Sequence, residues 1–252
     1  MINKDRKDKT THLTSLGQAG FLIKSKSGQS LAIDPYLSDC VQRVEPDFVG
    51  YKRLLPKLFS PDELDLDVLI CTHFHRDHYD IDSVPILMNS GKTTLYSPRD
   101  CEPDVDDEKL DINRVIYVNP GDSFNNGDFI IHFINCDHGE GAPLAVGVIV
   151  EVDGRRILEI GDTCLRLDRV DEYLSFGQID VLIGPINGMY GNLNEEEFVV
   201  LSKAIKPKLT IPCHYGMFAA HHGDIGKFHD LMKNTGNNYR IMSFGEDFIL
   251  ED

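Results

Sequence analysis

Four metal-ligand side chains fall within six positions of one segment, THFHRDH, directly after the apolar run Val68–Ile70. His73, His75 and Asp77 are spaced by two, so an extended chain that leaves a strand directs them to one side and His78 to the other. Neutral imidazoles and a carboxylate suit zinc, iron or manganese. A surface histidine cluster is the alternative, but four ligand-type residues at a strand exit favour a metal centre.

Three later segments repeat this arrangement of an apolar run followed by a ligand-type residue. The residues are His138, Asp162 and His214. In layered α/β proteins, active-site residues gather at the carboxyl ends of the strands. We therefore expect the seven side chains to form one site that is divided between two metal ions.

A short internal repeat bears on the fold. Asp34 follows one predicted strand and Asp162 follows another, and each is followed in the chain by an Asp-Val-Leu-Ile strand, at 67–70 and 180–183. The echo predicts two similar halves packed together. Asp34 is also a candidate for orienting a neighbouring loop at the metal site, and a simple turn-forming Asp is the alternative.

Length and composition limit the class of protein. The 252 residues suffice for one domain, which we place at 11–252 after a charged leader at 1–10 that we expect to be disordered. The leader lacks the apolar core of a signal peptide, and no apolar run is long enough to span a membrane. The six cysteines form no CxxC pair, which predicts reduced thiols in a cytoplasmic protein.

The charge pattern bears on partners. A net charge of −16 without a visible basic stripe weighs against binding to nucleic acid. One stretch, YKRLLPK at 51–57, holds three cations and no acid. Lys52 and Arg53 within it are candidates for binding an anionic substrate, and a solvated face is the alternative. The expected partner is a small anionic molecule, and assembly into a homo-oligomer stays open.

The order H-x-H-x-D-H, followed by an isolated His, an Asp and a final His, resembles the metallo-β-lactamase superfamily from Thr11 onward. The resemblance implies an α/β fold, a four-layer αββα sandwich of two mixed β-sheets flanked by helices. It implies a first metal ion held by His73, His75 and His138, and a second held by Asp77, His78 and His214. It also implies that Asp162 bridges the two ions.

Three stretches are similar to the L-ascorbate-6-phosphate lactonase group: LGQAGFLI at 16–23, DHYD at 77–80 and PKLTIPCHYGMF at 207–218. This likeness implies hydrolysis of a lactone or other ester in a small, sugar-phosphate-like substrate. Enzymes of this group are associated with manganese, and the wider superfamily with zinc or iron. The expected cofactors are therefore two divalent ions, manganese or zinc, with iron as a further alternative.

The resemblance carries a mechanism. Two cations bridged by Asp162 would lower the pKa of a trapped water from about 16 to about 7, and the resulting bridging hydroxide would attack a carbonyl or phosphoryl centre. Asp162 is the expected proton acceptor. Tyr215 is the first candidate for the general acid, and His222, which we also assign to substrate binding, is the second. Simple packing or surface exposure is the alternative for both.

Other functions use the same pattern. A phosphodiesterase or nuclease of this fold would use the same metals, although the acidic chain weighs against it. A thioester hydrolase of the glyoxalase II type is a further alternative. From a different class, the chain could be a non-hydrolytic redox or binding module that uses iron, but such relatives usually replace a ligand His with a carboxylate.

Overall fold

The computed structural model describes residues 9–47 and 49–251. Most of the predicted leader therefore lies outside the described residues. The strands are β1 (Thr11–Gly17), β2 (Gly20–Lys24), β3 (Ser30–Ile33), β4 (Val68–Ile70), β5 (Thr94–Ser97), β6 (Val115–Tyr117), β7 (Ser123–Asn126), β8 (Phe129–Asn135), β9 (Val146–Val152), β10 (Arg155–Glu159), β11 (Val181–Pro185), β12 (Leu209–Cys213) and β13 (Asp247–Leu250).

Six α-helices connect these strands in the described part of the chain. They are α1 (Cys40–Val44), α2 (Val84–Met88), α3 (Glu102–Asp107), α4 (Val170–Ser175), α5 (Glu195–Ile205) and α6 (Ile225–Met232). Short 3₁₀ helices lie at Pro61–Glu63, Arg99–Cys101, Ile112–Arg114, Gly139–Gly141 and Leu167–Arg169. None of the helices described has the length and apolar character needed to cross a bilayer.

The strands form two mixed sheets. One has the order β13-β1-β2-β3-β4-β5-β6, and the other has the order β12-β11-β10-β9-β8-β7. Buried residues of both sheets share one apolar core, while a second cluster includes α2 and α3 and a third includes α4, α5 and α6. Each sheet thus packs one face on the other sheet and one face on helices, which confirms the predicted αββα sandwich.

The internal repeat corresponds to equivalent positions in the two sheets. β3 pairs in parallel with β4, and β10 pairs in parallel with β11. The repeated Asp lies just before β4 in one pair and just before β11 in the other. Its carboxylate accepts a hydrogen bond from the backbone at the start of the neighbouring strand, β3 or β10. Asp67 Oδ2 accepts from Ser30 N at 2.9 Å, and Asp180 Oδ2 accepts from Arg156 N at 2.8 Å. An Asp at the equivalent position in each half therefore fixes the start of β3 and of β10.

Local sequence signals explain the element ends near the site. α5 begins with a capping box, in which Asn194 accepts from the Glu197 backbone and Glu197 returns a bond to the Asn194 backbone. Asp80 organises the start of α2, because its carboxylate accepts from the Ser83 backbone and hydroxyl. The bonds of Asp80 thus fix the conformation of the segment that follows the histidine cluster.

Candidate metal centre

The first group of ligands consists of His73 and His75, which follow β4, and His138, which follows β8. Their ring nitrogens converge: His73 Nε2 and His138 Nε2 lie 3.0 and 3.2 Å from His75 Nδ1. Burial lowers the pKa of all three imidazoles, that of His138 to about 4. Each neutral ring keeps one nitrogen lone pair, and three such lone pairs directed at one point form a donor set for a cation.

The second group consists of Asp77, His78 and His214, which follows β12. His78 Nε2 lies 3.1 Å from His214 Nε2, and Asp77 Oδ2 lies 3.8 Å from each of these nitrogens. Burial alone would lower the pKa of His78, but Asp162, Asp34 and Asp77 outweigh it and raise that pKa well above its usual value. The carboxylates thus create a position that holds positive charge.

Asp162, which follows β10, lies between the two groups. Its Oδ1 is 3.1 Å from His214 Nε2, and its Oδ2 is 3.4 Å from His78 Nε2 and 3.9 Å from His138 Nε2. Burial opposes its ionisation, yet His214 and His78 hold the pKa of this carboxyl well below its usual range. Asp162 therefore lies close to side chains of both groups, which is the position expected of a bridging ligand.

The donor set fits divalent cations. Three groups have ligand atoms that all lie within 4.8 Å of one another, namely His73, His75 and His138; His73, His78 and Asp162; and Asp77, His78 and His214. Imidazole nitrogens with carboxylate oxygens suit zinc, manganese or iron. The structure therefore brings together all seven residues predicted from strand exits. Their division between two ions stays a prediction.

Asp34 orients this centre from behind. Its Oδ2 lies 2.6 Å from His78 Nδ1, and its two oxygens accept from the Thr72 backbone and hydroxyl at 2.7 and 2.6 Å. A His78 ring that donates through Nδ1 keeps Nε2 directed at the centre. Asp34 has a φ of 45°, a left-handed conformation that Asp adopts more readily than most residues. The structure thus places Asp34 where the sequence predicted an orienting carboxylate.

Two further supporting residues were not identified from the sequence. Gln18, in the turn between β1 and β2, donates from Nε2 to Asp77 Oδ2 at 2.8 Å, and this nitrogen lies 3.0 Å from His214 Nδ1. Asn192 donates from Nδ2 to Asp162 Oδ2 at 2.8 Å. Neither has a strand-exit signature, and Gln18 was visible only as part of the LGQAGFLI stretch.

A cavity of about 340 Å³ opens beside the ligands, a volume within the range of small-molecule sites. Five of the seven ligands line it, namely His75, Asp77, His138, Asp162 and His214. The remaining walls combine apolar and aromatic side chains with a few polar groups. The metal centre is therefore accessible to a small molecule.

Four predicted residues do not reach this cavity. Arg53 is buried elsewhere, with its guanidinium donating to the carbonyls of Tyr36, Ser38 and Leu55 and lying over the ring of Tyr36. Lys52 and His222 are exposed and do not line the cavity.

Tyr215 is also directed away, because its hydroxyl donates to the Met242 carbonyl at 2.5 Å and its ring packs with the core cluster of the helical face of the second sheet. Burial also raises the pKa of this phenol. Tyr215 is next to His214 in the sequence, but its ring and hydroxyl lie on the helical face of the second sheet. The residues predicted as general acid and as anion-binding groups therefore lie away from this cavity.

Comparison with known proteins places this geometry in a family. Residues 12–214 match the family model described as the β-lactamase superfamily domain. The chain belongs to the metallo-β-lactamase superfamily. The matched range includes all seven ligands and ends at His214, the last of them.

Relatives within the superfamily span the same length. The chain is 25% identical to a protein of Carboxydothermus hydrogenoformans named as a metal-dependent hydrolase, over 94% of this chain and 99% of that one. A metal-dependent hydrolase of Thermococcus kodakarensis is 29% identical over 79% of this chain and 82% of its own. The structure of Igni18, a metallo hydrolase from Ignicoccus hospitalis, superposes with a TM-score of 0.77 at 22% identity, covering 96% of this chain and 99% of that one.

Proposed function

We propose that this member of the metallo-β-lactamase superfamily is a metal-dependent hydrolase of a small molecule. The observation that carries the proposal is the set of seven ligands in two groups joined by Asp162, at the side of a cavity. The relatives named as metal-dependent hydrolases support it. A divalent ion bound by such a donor set supplies a Lewis acid and makes bound water more acidic.

The chain's own residues supply the rest of the chemistry. Asp162 lies close to both ligand groups, and this position makes its carboxylate the candidate to take a proton from an attacking water. Gln18 and Asn192 hold Asp77 and Asp162 in orientation through their amide nitrogens. Asp34 fixes the His78 ring, so that the centre is organised before substrate enters.

The proposed bond is an ester or lactone, which follows the resemblance of three stretches to ascorbate-phosphate lactonases. The anionic character of the substrate has less support, because Lys52 and Arg53 lie away from the cavity. Among the described residues, Arg76 is the cavity's one Lys or Arg, and its Nη1 is paired with Asp104 Oδ2 at 2.7 Å. A substrate screen therefore needs neutral and phosphorylated lactones side by side.

The test combines metal analysis of protein purified without added metal with hydrolysis of neutral lactones, phosphorylated sugar lactones, aryl esters and phosphodiesters. We expect about two equivalents of divalent metal and turnover of at least one carbonyl ester. His75→Ala and Asp162→Ala should lose both metal and hydrolysis while keeping the fold by circular dichroism. His229→Ala, which removes an exposed imidazole on α6, is the matched control and should keep both.

Three results would contradict parts of the proposal. Protein that binds no divalent metal under any loading condition would refute the metal centre. Full turnover with full metal content in Asp162→Ala would refute the bridging role. Cleavage confined to phosphodiesters would replace the ester hydrolase with the phosphodiesterase alternative.

A further inference from the structure

One wall of the cavity beside the metal centre is aromatic. Tyr51, Tyr190, Phe218 and His221 line it and contact one another, and we call this set the aromatic wall. The ring centroids of Tyr51 and Phe218 lie 5.6 Å apart, and those of Tyr190 and His221 lie 5.0 Å apart. The hydroxyls of Tyr51 and Tyr190 are 2.6 Å apart and hydrogen-bonded, which joins two loops that are 139 residues apart in the chain.

The charges near the aromatic wall do not favour an anion. Among the described residues that line the cavity, Glu45 is the one carboxylate that is not a proposed metal ligand. Arg76 already donates to Asp104, so its charge is largely balanced within the protein. A phosphate placed against the aromatic wall, away from the proposed ions, would meet Glu45 without a dedicated cation, whereas an uncharged ring would meet aromatic faces and edges.

Backbone conformation sets the wall in place. Tyr190 has a φ of 56° and His221 a φ of 53°, left-handed values that side chains larger than glycine adopt at a cost. The Tyr190 side chain recovers little of that cost by burial, since the residue is 58% exposed. Backbone strain of this kind clusters at ligand-binding sites, where the strained conformation positions side chains for contact with a ligand.

We propose that the aromatic wall is a specificity subsite that binds a planar, uncharged group of the substrate, such as an aryl or conjugated unsaturated group. The reacting ester lies toward Asp162 and the planar group lies toward Tyr51 and Tyr190. The volume of about 340 Å³ accommodates both parts in one small molecule. The kinetic test of this inference rests on the proposed hydrolase function. The binding test does not depend on that function.

The binding test uses 2-naphthol, an uncharged bicyclic probe whose own fluorescence reports binding; the chain has no Trp to interfere. We expect saturable binding to the protein as purified, and about three- to tenfold weaker binding to Tyr190→Gly because stacking contacts are lost. Tyr190→Phe keeps the ring and should stay within about twofold of the parent. Ile112→Ala is the matched control, because Ile112 is 56% exposed and lies outside the cavity.

Glycine separates a binding role from a structural one. Glycine adopts a positive φ freely, and the relief of backbone strain offsets part of the lost hydrogen bond to Tyr51, so Tyr190→Gly should change the melting temperature little while it weakens binding of the probe. A lower melting temperature with unchanged probe binding would mean that Tyr190 is structural and would overturn the subsite. Tighter binding of 1-naphthyl phosphate than of 2-naphthol would overturn the preference for an uncharged group.

The kinetic test compares 2-naphthyl acetate with ethyl acetate on the metal-loaded enzyme. We expect a lower KM for the naphthyl ester, and about a three- to tenfold rise in that KM in Tyr190→Gly with little change for ethyl acetate. Hydrolysis of both esters with equal KM would refute the subsite and leave the hydrolase intact. Binding of 2-naphthol that depends on Tyr190, without hydrolysis of either ester, would support the subsite and refute the proposed reaction.

Discussion

Asp34 illustrates how much of the metal centre depends on residues that are not ligands. Its carboxylate accepts from Thr72, just before the first ligand, and holds His78 Nδ1 at 2.6 Å. An Asp that ends a strand is readable from the sequence, so this role could be predicted. Gln18 and Asn192 could not, because an amide in a turn carries no periodicity and its partner is chosen by the fold.

Replacing Asp34 with Asn is therefore expected to weaken metal binding without removing a ligand. The Asn side chain keeps the shape, but it loses the negative charge that holds the His78 proton on Nδ1. We expect about a 10- to 100-fold loss of metal affinity, measured by competition with a chromogenic chelator.

Asp67→Asn is the control for this substitution. Asp67 accepts a hydrogen bond from Ser30 N at the start of β3, whereas Asp34 lies just after the end of β3. Its replacement should lower stability and leave metal affinity unchanged. Equal losses of affinity in Asp34→Asn and Asp67→Asn would mean that Asp34 acts only through folding.

Among the secondary-structure elements, strands with alternating or continuous apolar residues could be predicted from the sequence, whereas polar strands could not. Apolar runs in the sequence predict strands at 11–16, 21–24, 30–34 and 247–250; β13 has the last of these bounds, and β1 to β3 lie within one residue of the others. β7 was missed because its sequence, SFNN, has little apolar character and gains its bonds by pairing with β8. The sequence also predicts a strand at 239–242, but there the structure has only an isolated bridge between Tyr239 and Thr210 of β12.

α3 was also missed, because its sequence EPDVDD is acidic and buries only Val105. The C-cap residue of α3, Glu108, has a raised pKa. Burial raises the pKa of Glu108 to about 8, against the hydroxyl of Tyr79, which donates to Oε2 at 3.0 Å. Asp104 raises the pKa further. The folded protein thus favours a protonated Glu108.

This shift makes stability fall as pH rises. The folded state binds more protons than the unfolded state between about pH 4.5 and 8, so the contribution of Glu108 is complete at low pH and is lost through that window. Because the side chain is partly exposed, we expect Glu108→Gln to raise the free energy of unfolding at pH 8 by about 1 kcal/mol, with little effect at pH 4.5. Urea denaturation at both pH values measures it, and an equal effect at both would contradict it.

Across the whole molecule, the ligands come from both sheets. His73, His75, Asp77 and His78 follow β4 of the first sheet, while His138, Asp162 and His214 follow β8, β10 and β12 of the second. Strand exits could be read from the sequence, and so could the ligand set. The aromatic wall could not, because Tyr51, Tyr190 and His221 come from loops whose approach depends on how the two halves pack.

Bound metal is therefore expected to join the two sheets and to stabilise the folded chain. The ligands of each proposed ion include side chains from both sheets, so unfolding separates them and releases the ion. Stabilisation follows the excess of free metal over its dissociation constant and reaches about 2.7 kcal/mol at a 100-fold excess. For a chain of this length that corresponds to roughly 5–10 °C in melting temperature.

The measurement is differential scanning calorimetry of protein stripped with a chelator and then titrated with zinc or manganese. The melting temperature should rise steadily with the logarithm of free metal in the parent protein and in His229→Ala. His75→Ala and Asp162→Ala should show a much smaller rise, because each leaves an incomplete ligand set. The same melting temperature with and without metal in the parent would show that the two sheets hold together independently of the ions. The ligands would then be a site that the fold presents rather than one that it depends on.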